Sequence, residues 1–250
     1  MITIEYDGSR YKGWQVLTNT ENTIQGKLIE ILTKLTGEKV DVIGSGRTDA
    51  GVHAKGQVAN FHITPPDDMD EAMIMAYMNR YLPDDIAVTS IKIVDERFHA
   101  RFSAVQKTYL YRIYVSDIPN VFERKYVYKY LDSVLNVDRM KEAAAFLVGT
   151  HDFKAFCANK HMKKSTVRTI QEIRIEPIYS ESDLVEIDIS YTGNGFLQNM
   201  VRILTGTLIE IGRGDRNPSD VNDILESLSR ENAGYTAPAQ GLTLLNVSYL

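Results

Sequence analysis

Thr23-Ile24-Gln25-Gly26-Lys27-Leu28-Ile29-Glu30-Ile31-Leu32-Thr33-Lys34-Leu35-Thr36-Gly37 decides the fold of the first half of this chain. Ile24, Leu28, Ile31, Leu32 and Leu35 share one face at helical spacing. Thr23 can cap the start and Gly37 the end. Before this helix, Ile2–Tyr6 alternates as a strand, and after it strands fit Val40–Ile43 and Gln57–Ile63. A second helix fits Glu71–Tyr81, closed by Pro83, and a strand fits Ile86–Val94.

That order, β-α-β-β-α-β, is the ferredoxin-like unit. The second half repeats it loosely. A strand alternates at Lys107–Val115, and Val137, Met140, Ala144 and Leu147 share the face of a helix near Asp138–Val148. Strands follow at Ile170–Ile175 and Leu184–Tyr191, then a long helix at Leu197–Ile211. A short helix near Ser219–Leu228 has Asn217 as cap and Pro218 in its first turn. A last strand fits Leu242–Tyr249, while the mixed polarity of Tyr126–Asn136 assigns it no element. The expected fold class is therefore α+β, with two ferredoxin-like domains, 1–104 and 105–250. No Pro/Gly/Ser-rich linker separates them. Their antiparallel sheets are expected to pack or continue into each other and to face a central cleft.

The composition narrows the function. At 250 residues, 44% hydrophobic and 24% charged, the chain is of ordinary globular type. It contains no apolar run of bilayer length and begins on a strand pattern without a basic leader, so a cytoplasmic, non-membrane protein is expected. Cys157 is the only cysteine, and the five histidines lack zinc-like spacing, so no metal is expected. The net charge is -5, but its distribution is uneven. Arg97, Arg101, Lys107 and Arg112 lie in a stretch without acids, interleaved with Phe98, Phe102, Tyr109, Tyr111 and Tyr114. Lys154, Lys160, Lys163, Lys164 and Arg168 form a second such stretch. Cations for phosphates and aromatic faces for bases suit RNA. Solvated strand faces would show the same composition.

The run Gly44-Ser45-Gly46-Arg47-Thr48-Asp49-Ala50-Gly51-Val52-His53-Ala54 carries the chemistry. Asp49 is a lone acid among small residues that allow tight turns and close ligand approach. With Arg47 beside it, it reads as a nucleophile, a base or an ion-pair partner; the competing reading is a turn cap. Trp14, the only tryptophan, reads either as a base-stacking platform or as a core anchor. Tyr109 and Tyr111 share a strand face, where a phenol could stack on a uracil or move a proton. Arg202 stands on an apolar helix and needs a carboxylate or a route to solvent, with Asp49 a candidate partner. His151-Asp152 has the look of a catalytic pair, but Asp152 reads better as a turn cap.

These motifs together resemble the TruA family of tRNA pseudouridine synthases. The matching pieces include Ile4-Glu5-Tyr6-Asp7-Gly8, Gly13-Trp14-Gln15, Gly44 to Ala54, Gln57-Val58-Ala59-Asn60-Phe61, Lys107-Thr108-Tyr109, Gly193 to Arg202, and Pro238-Ala239-Gln240-Gly241-Leu242. They occur in order over nearly the whole chain. The resemblance implies a cofactor-free, homodimeric isomerase that makes pseudouridine on the 3′ side of the tRNA anticodon stem-loop. It makes Asp49 the nucleophile, Arg47 a base-flipping and site-holding arginine, and Arg202 the partner of the aspartate. Tyr109 would stack on the target base, and Leu242 would be an apolar wall beside it. Lys163, Lys164 and Arg168 are the candidate phosphate contacts. One departure stands out: Val16-Leu17 replace a basic-polar pair of the family. This leaves three alternatives open: the same chemistry at another tRNA site, the same chemistry on ribosomal RNA, or a non-catalytic RNA-binding module.

Overall fold

Strand β1 (Ile2–Tyr6) pairs antiparallel with β3 (His53–Asn60) on one side and with β4 (Ile86–Ile91) on the other. This is a computed structural model, and it describes residues 1–66, 69–159 and 161–250; Lys160 of the second basic stretch lies outside the described residues. The chain divides into two compact units, Met1–Val105 with Thr243–Leu250, and Gln106–Leu242. Among the described residues there are five α-helices, and the fold is mixed α+β.

In the first unit, β1 occupies one edge of β3. The other edge takes β2 (Ile43–Gly44), antiparallel with Ile43 opposite Asn60, and β10 (Leu242–Tyr249), parallel with Thr243 opposite His53. Helix α1 (Ile24–Thr36) starts where the Thr23 hydroxyl accepts from the Gly26 N–H at 3.2 Å. It ends at Gly37, which is left-handed at φ 74°. Helix α2 (Glu71–Tyr81) starts where the Asp70 carboxylate accepts from the Met73 N–H at 2.8 Å. Ile2, Ile4, Leu28, Leu32, Met78 and Val88 form a closed apolar core. Such side chains contribute about 1.5–3 kcal/mol each when fully buried.

Three strands of this unit differ from their sequence-based bounds, and β4 stops at Ile91 rather than Val94. The ladder at Val40–Ile43 is confined to Ile43–Gly44, although Val40 and Val42 are buried. Strand β3 begins earlier than Gln57, at His53, and stops at Asn60. It is covered on both faces, so it lacks the alternation that marks a half-buried strand. Gly56 also admits a neighbouring backbone, since a Cβ there would sit 2.3 Å from the Leu245 carbonyl oxygen.

In the second unit, β5 (Ala104–Tyr114) pairs antiparallel with β9 (Asp183–Gly193), Tyr109 opposite Tyr191. Strand β9 pairs with β8 (Val167–Ser180), and β7 (Gly149–Asp152) lies beyond it. Within Tyr126–Asn136, which sequence pattern leaves unassigned, β6 (Tyr128–Lys129) runs parallel to β5. Helix α3 (Val137–Leu147) is capped by Asn136, whose side chain accepts from the Arg139 N–H at 3.1 Å. Helix α4 (Met200–Gly212) is buried nearly all round, and the hydroxyls of Tyr191 and Thr205, 2.8 Å apart, tie it to β9. Helix α5 (Asp220–Ser227) begins after Ser219, and Asn217 does not cap it. Asn217 instead donates its N–H to the Asp220 carboxylate at 2.8 Å.

Candidate active site

Asp49 lies half-buried on the loop between β2 and β3, and Arg47 stands exposed on the same loop. The loop is locked from beneath. Thr48 is buried, and its hydroxyl meets that of Tyr6 at 2.8 Å. Gln57 Nε2 donates to the Gly46 carbonyl at 3.2 Å and its Oε1 accepts from the Ser45 hydroxyl at 2.7 Å. The Trp14 N–H donates to the Thr48 carbonyl at 3.0 Å, and the Val52 N–H closes the turn onto the Asp49 carbonyl at 3.1 Å. Burial pushes the Tyr6 hydroxyl up to about 12, against the pull of its bonds to Thr48 and Gln57. Tyr6 therefore stays protonated near neutral pH and serves the structure of the loop.

Three glycines permit this packing. Gly13 has φ 97°, and a Cβ there would lie 2.7 Å from the Thr48 carbonyl oxygen and 3.1 Å from the Asp49 carbonyl carbon. Gly44 faces the Trp14 ring, which a Cβ would meet at 2.5 Å. Trp14 is only 1% exposed, so the core-anchor reading holds and base stacking by this residue is excluded. Gly51 takes φ 80° directly after the Asp49–Ala50 segment. The loop also leans on the first turn of the chain. The Gly8 N–H donates to His53 Nδ1 at 3.1 Å, and the Asp7 carboxylate lies 3.3 Å from the same nitrogen.

The second unit carries its own cluster. Tyr109 is buried on β5, edge-on to Phe196 with ring centroids 5.3 Å apart. Tyr111, on the same face, donates its hydroxyl to the Pro238 carbonyl at 2.7 Å. Arg202, in the first turn of α4, donates Nε to the Ala237 carbonyl at 2.7 Å and Nη1 to Asn199 Oδ1 at 3.1 Å. Its charge reaches the Tyr111 hydroxyl, though burial dominates there and raises that group strongly. Leu242 is 5% exposed and follows Gly241, which lies against the Tyr111 ring. Arg202, Tyr111 and the Pro238–Leu242 segment thus form one neighbourhood.

Lys163 and Lys164 are exposed on the segment that leads into β8. Arg168, on β8 itself, donates Nη1 to the carbonyls of Ser165 at 3.0 Å and Val167 at 2.6 Å. The first basic stretch needs a correction. Arg112 does not offer its charge to a phosphate, because it pairs with Glu186 and Glu123, each at 2.6 Å. Strand β9 brings Glu186 and Asp188 beside it through the cross-strand register. Tyr111 is likewise fully buried, and of the cations and aromatic residues of that stretch Arg97, Arg101 and Phe102 are exposed. Asp152 caps a turn, accepting from the Lys154 N–H at 3.0 Å, and His151 Nε2 lies 3.1 Å from the Val148 carbonyl.

Sequence reasoning missed the roles of Gly13, Thr48 and Ser45. All three sit inside the motifs, but their value lies in buried contacts with residues distant in sequence: the Gly13 backbone against Thr48, and the Ser45 and Thr48 hydroxyls on Gln57 and Tyr6.

The chain matches the protein family described as tRNA pseudouridine synthase over residues 2–103 and 143–250. It is 48% identical over 248 residues to "tRNA pseudouridine synthase A" of Bacillus sp. (strain KSM-64), covering 99% of this chain and 98% of that one. It is 45% identical, over the same shares, to "tRNA pseudouridine synthase A 2" of Bacillus anthracis. The figures are the same for "tRNA pseudouridine synthase A 1" of Clostridium tetani. With a lone loop carboxylate held rigid in one unit and a clamped arginine beside buried tyrosines in the other, the chain belongs to the tRNA pseudouridine synthase family.

Proposed function

We propose that this protein isomerises uridine to pseudouridine in tRNA, with Asp49 as the nucleophilic carboxylate. The observation that carries the assignment is the Asp49 loop. Its backbone is fixed by Trp14, Gln57 and the Tyr6–Thr48 contact, while Asp49 stays half-buried and Arg47 exposed. A carboxylate held in place reacts without first ordering its loop. The target uridine leaves its stack at a cost of about a few kcal/mol, and Arg47 helps hold it outside. Asp49 assists cleavage of the N1–C1′ glycosidic bond. The uracil turns, C5 bonds to C1′, the C5 proton leaves and N1 gains one, so the composition is unchanged. No redox step is involved.

Tyr109 is assigned to the face of the base, and Leu242 to its side. Arg202 is assigned as the partner that keeps Asp49 ionised. Lys163, Lys164 and Arg168 are assigned to phosphates. The order β4-β1-β3-β2 with two helices in the first unit supports the ferredoxin-like reading of domain 1–104, with 105–250 as its counterpart and a cleft between them. A cofactor-free cytoplasmic homodimer completes the proposal. The target uridines, by resemblance, lie on the 3′ side of the anticodon stem-loop. Val16 and Leu17, 44% and 43% exposed, give the protein segment after Trp14-Gln15 an apolar surface in place of a polar one. Pseudouridine mapping of total RNA from cells lacking this protein tests the target. Loss confined to the anticodon arm supports it. Loss confined to ribosomal RNA overturns the tRNA target and keeps the chemistry.

A further inference from the structure

The segment after α5 returns along α4 and touches it turn by turn. The Tyr235 N–H donates to Glu210 Oε1 at 3.1 Å, and the Gly234 N–H to Thr207 Oγ1 at 2.9 Å. A Cβ on Gly206 would sit 1.9 Å from the Tyr235 carbonyl oxygen, and one on Gly234 2.6 Å from Thr207 Cα. Two glycines therefore let strap and helix meet backbone to backbone. At its far end the strap grips Arg202 twice. The Ala237 N–H donates to the Arg202 carbonyl at 3.1 Å, and the Ala237 carbonyl accepts from Arg202 Nε at 2.7 Å. The next residue, Pro238, takes the Tyr111 hydroxyl.

Arg230 holds this strap in shape. It is only partly exposed, and its guanidinium spans the bend. Nη1 donates to the Gly234 carbonyl at 2.9 Å and the Ala233 carbonyl at 3.3 Å, and Nη2 donates to Thr236 Oγ1 at 3.1 Å. A planar fork can serve two carbonyls and a hydroxyl at once, whereas an ammonium cannot hold that pattern.

We propose that Arg230 is a positioning residue for Arg202. It fixes residues 233–236, and so fixes the Ala237 carbonyl that aims the Arg202 guanidinium. The proposal rests on the assignment of Arg202 to the reaction. The test uses the full-length chain and an unmodified tRNA transcript tritiated at uracil C5, with single-turnover tritium release, tRNA affinity and thermal unfolding measured together. Arg230→Ala and Arg230→Lys should each slow release about tenfold while leaving Kd within about twofold, as expected when aim rather than binding is lost. In an Arg202→Lys background, Arg230→Ala should slow release no further, because the group it aims is already altered. Release by Arg230→Ala at the parent rate, or losses that multiply in the Arg202→Lys background, would overturn the proposal. Parent-like release by Arg202→Lys itself would remove its target, and that result is read independently of Arg230.

Discussion

Gly13→Ala tests the mechanical support of the Asp49 loop. Gly13 has φ 97°, where an L side chain is strained. Its new Cβ would also lie 2.7 Å from the Thr48 carbonyl oxygen, against about 3.4 Å for ordinary contact. Backbone surrounds it, so no flexible side chain can give way. Restoring contact means moving the Thr48–Asp49 peptide by about 0.7 Å, the difference of those two distances. The left-handed conformation costs about 1–2 kcal/mol and overpacking about 1–3 kcal/mol, so a loss of about 2–5 kcal/mol is expected. A fold with about 5–15 kcal/mol in hand survives that. A carboxylate misplaced by somewhat under 1 Å should lower kcat about 10- to 100-fold with little change in KM. Gly37→Ala is the control: Gly37 is left-handed at φ 74°, but nothing lies within 4 Å of its Cβ position. It should lose about 1–2 kcal/mol and keep full activity. Urea unfolding and steady-state tritium release read both variants. If Gly13→Ala matches Gly37→Ala in both stability and kcat, the loop does not depend on this contact.

Three further outcomes follow from particular side chains. Tyr109→Phe should keep substantial activity and Tyr109→Leu should lose it if the ring's face holds the base; loss in both at equal tRNA affinity would assign the proton transfer to the hydroxyl, and parent-like rates in both would sink both roles. Removing charge at Lys163 and Lys164 together should weaken tRNA binding and flatten the dependence of log Kd on log salt by about one to two units; an unchanged slope would place them off the RNA. Burial and the neighbouring Glu186 push Asp188 up to about 7, against the pull of Arg112. Its folded pKa lies above the unfolded 3.8, so the protonated form is favoured in the fold and stability falls as pH rises from about 4 to 7. Asp188→Asn should flatten that fall and raise Tm at pH 8. An unchanged pH profile would refute the assignment.

What was legible of the fold and of the candidate site carries local signals. Thr23 and Gly37 sit at the two ends of α1 and close it as their types predict. Asp49 stood out as a single acid among small residues. What was illegible depends on contacts distant in sequence. Arg112 reads as a free cation until the β5–β9 register brings Glu186 to it. Trp14 reads either as a stacking platform or as a core anchor until Gly44 is found against its ring. Strand β3 loses its alternation because both faces are covered. The strap over α4 has no periodicity, and its signal is a glycine inside an apolar helix, Gly206, whose reason is the Tyr235 carbonyl.

The most direct test of the central claim is Asp49→Asn assayed for C5 tritium release from unmodified tRNA. The side chain keeps its shape and loses its nucleophilic charge, and the locked loop beneath it is untouched. The account predicts release by the parent and none by the variant, with tRNA affinity within about tenfold, because phosphate contacts carry most of the binding. Release by Asp49→Asn above a few per cent of the parent rate would contradict the role of this carboxylate.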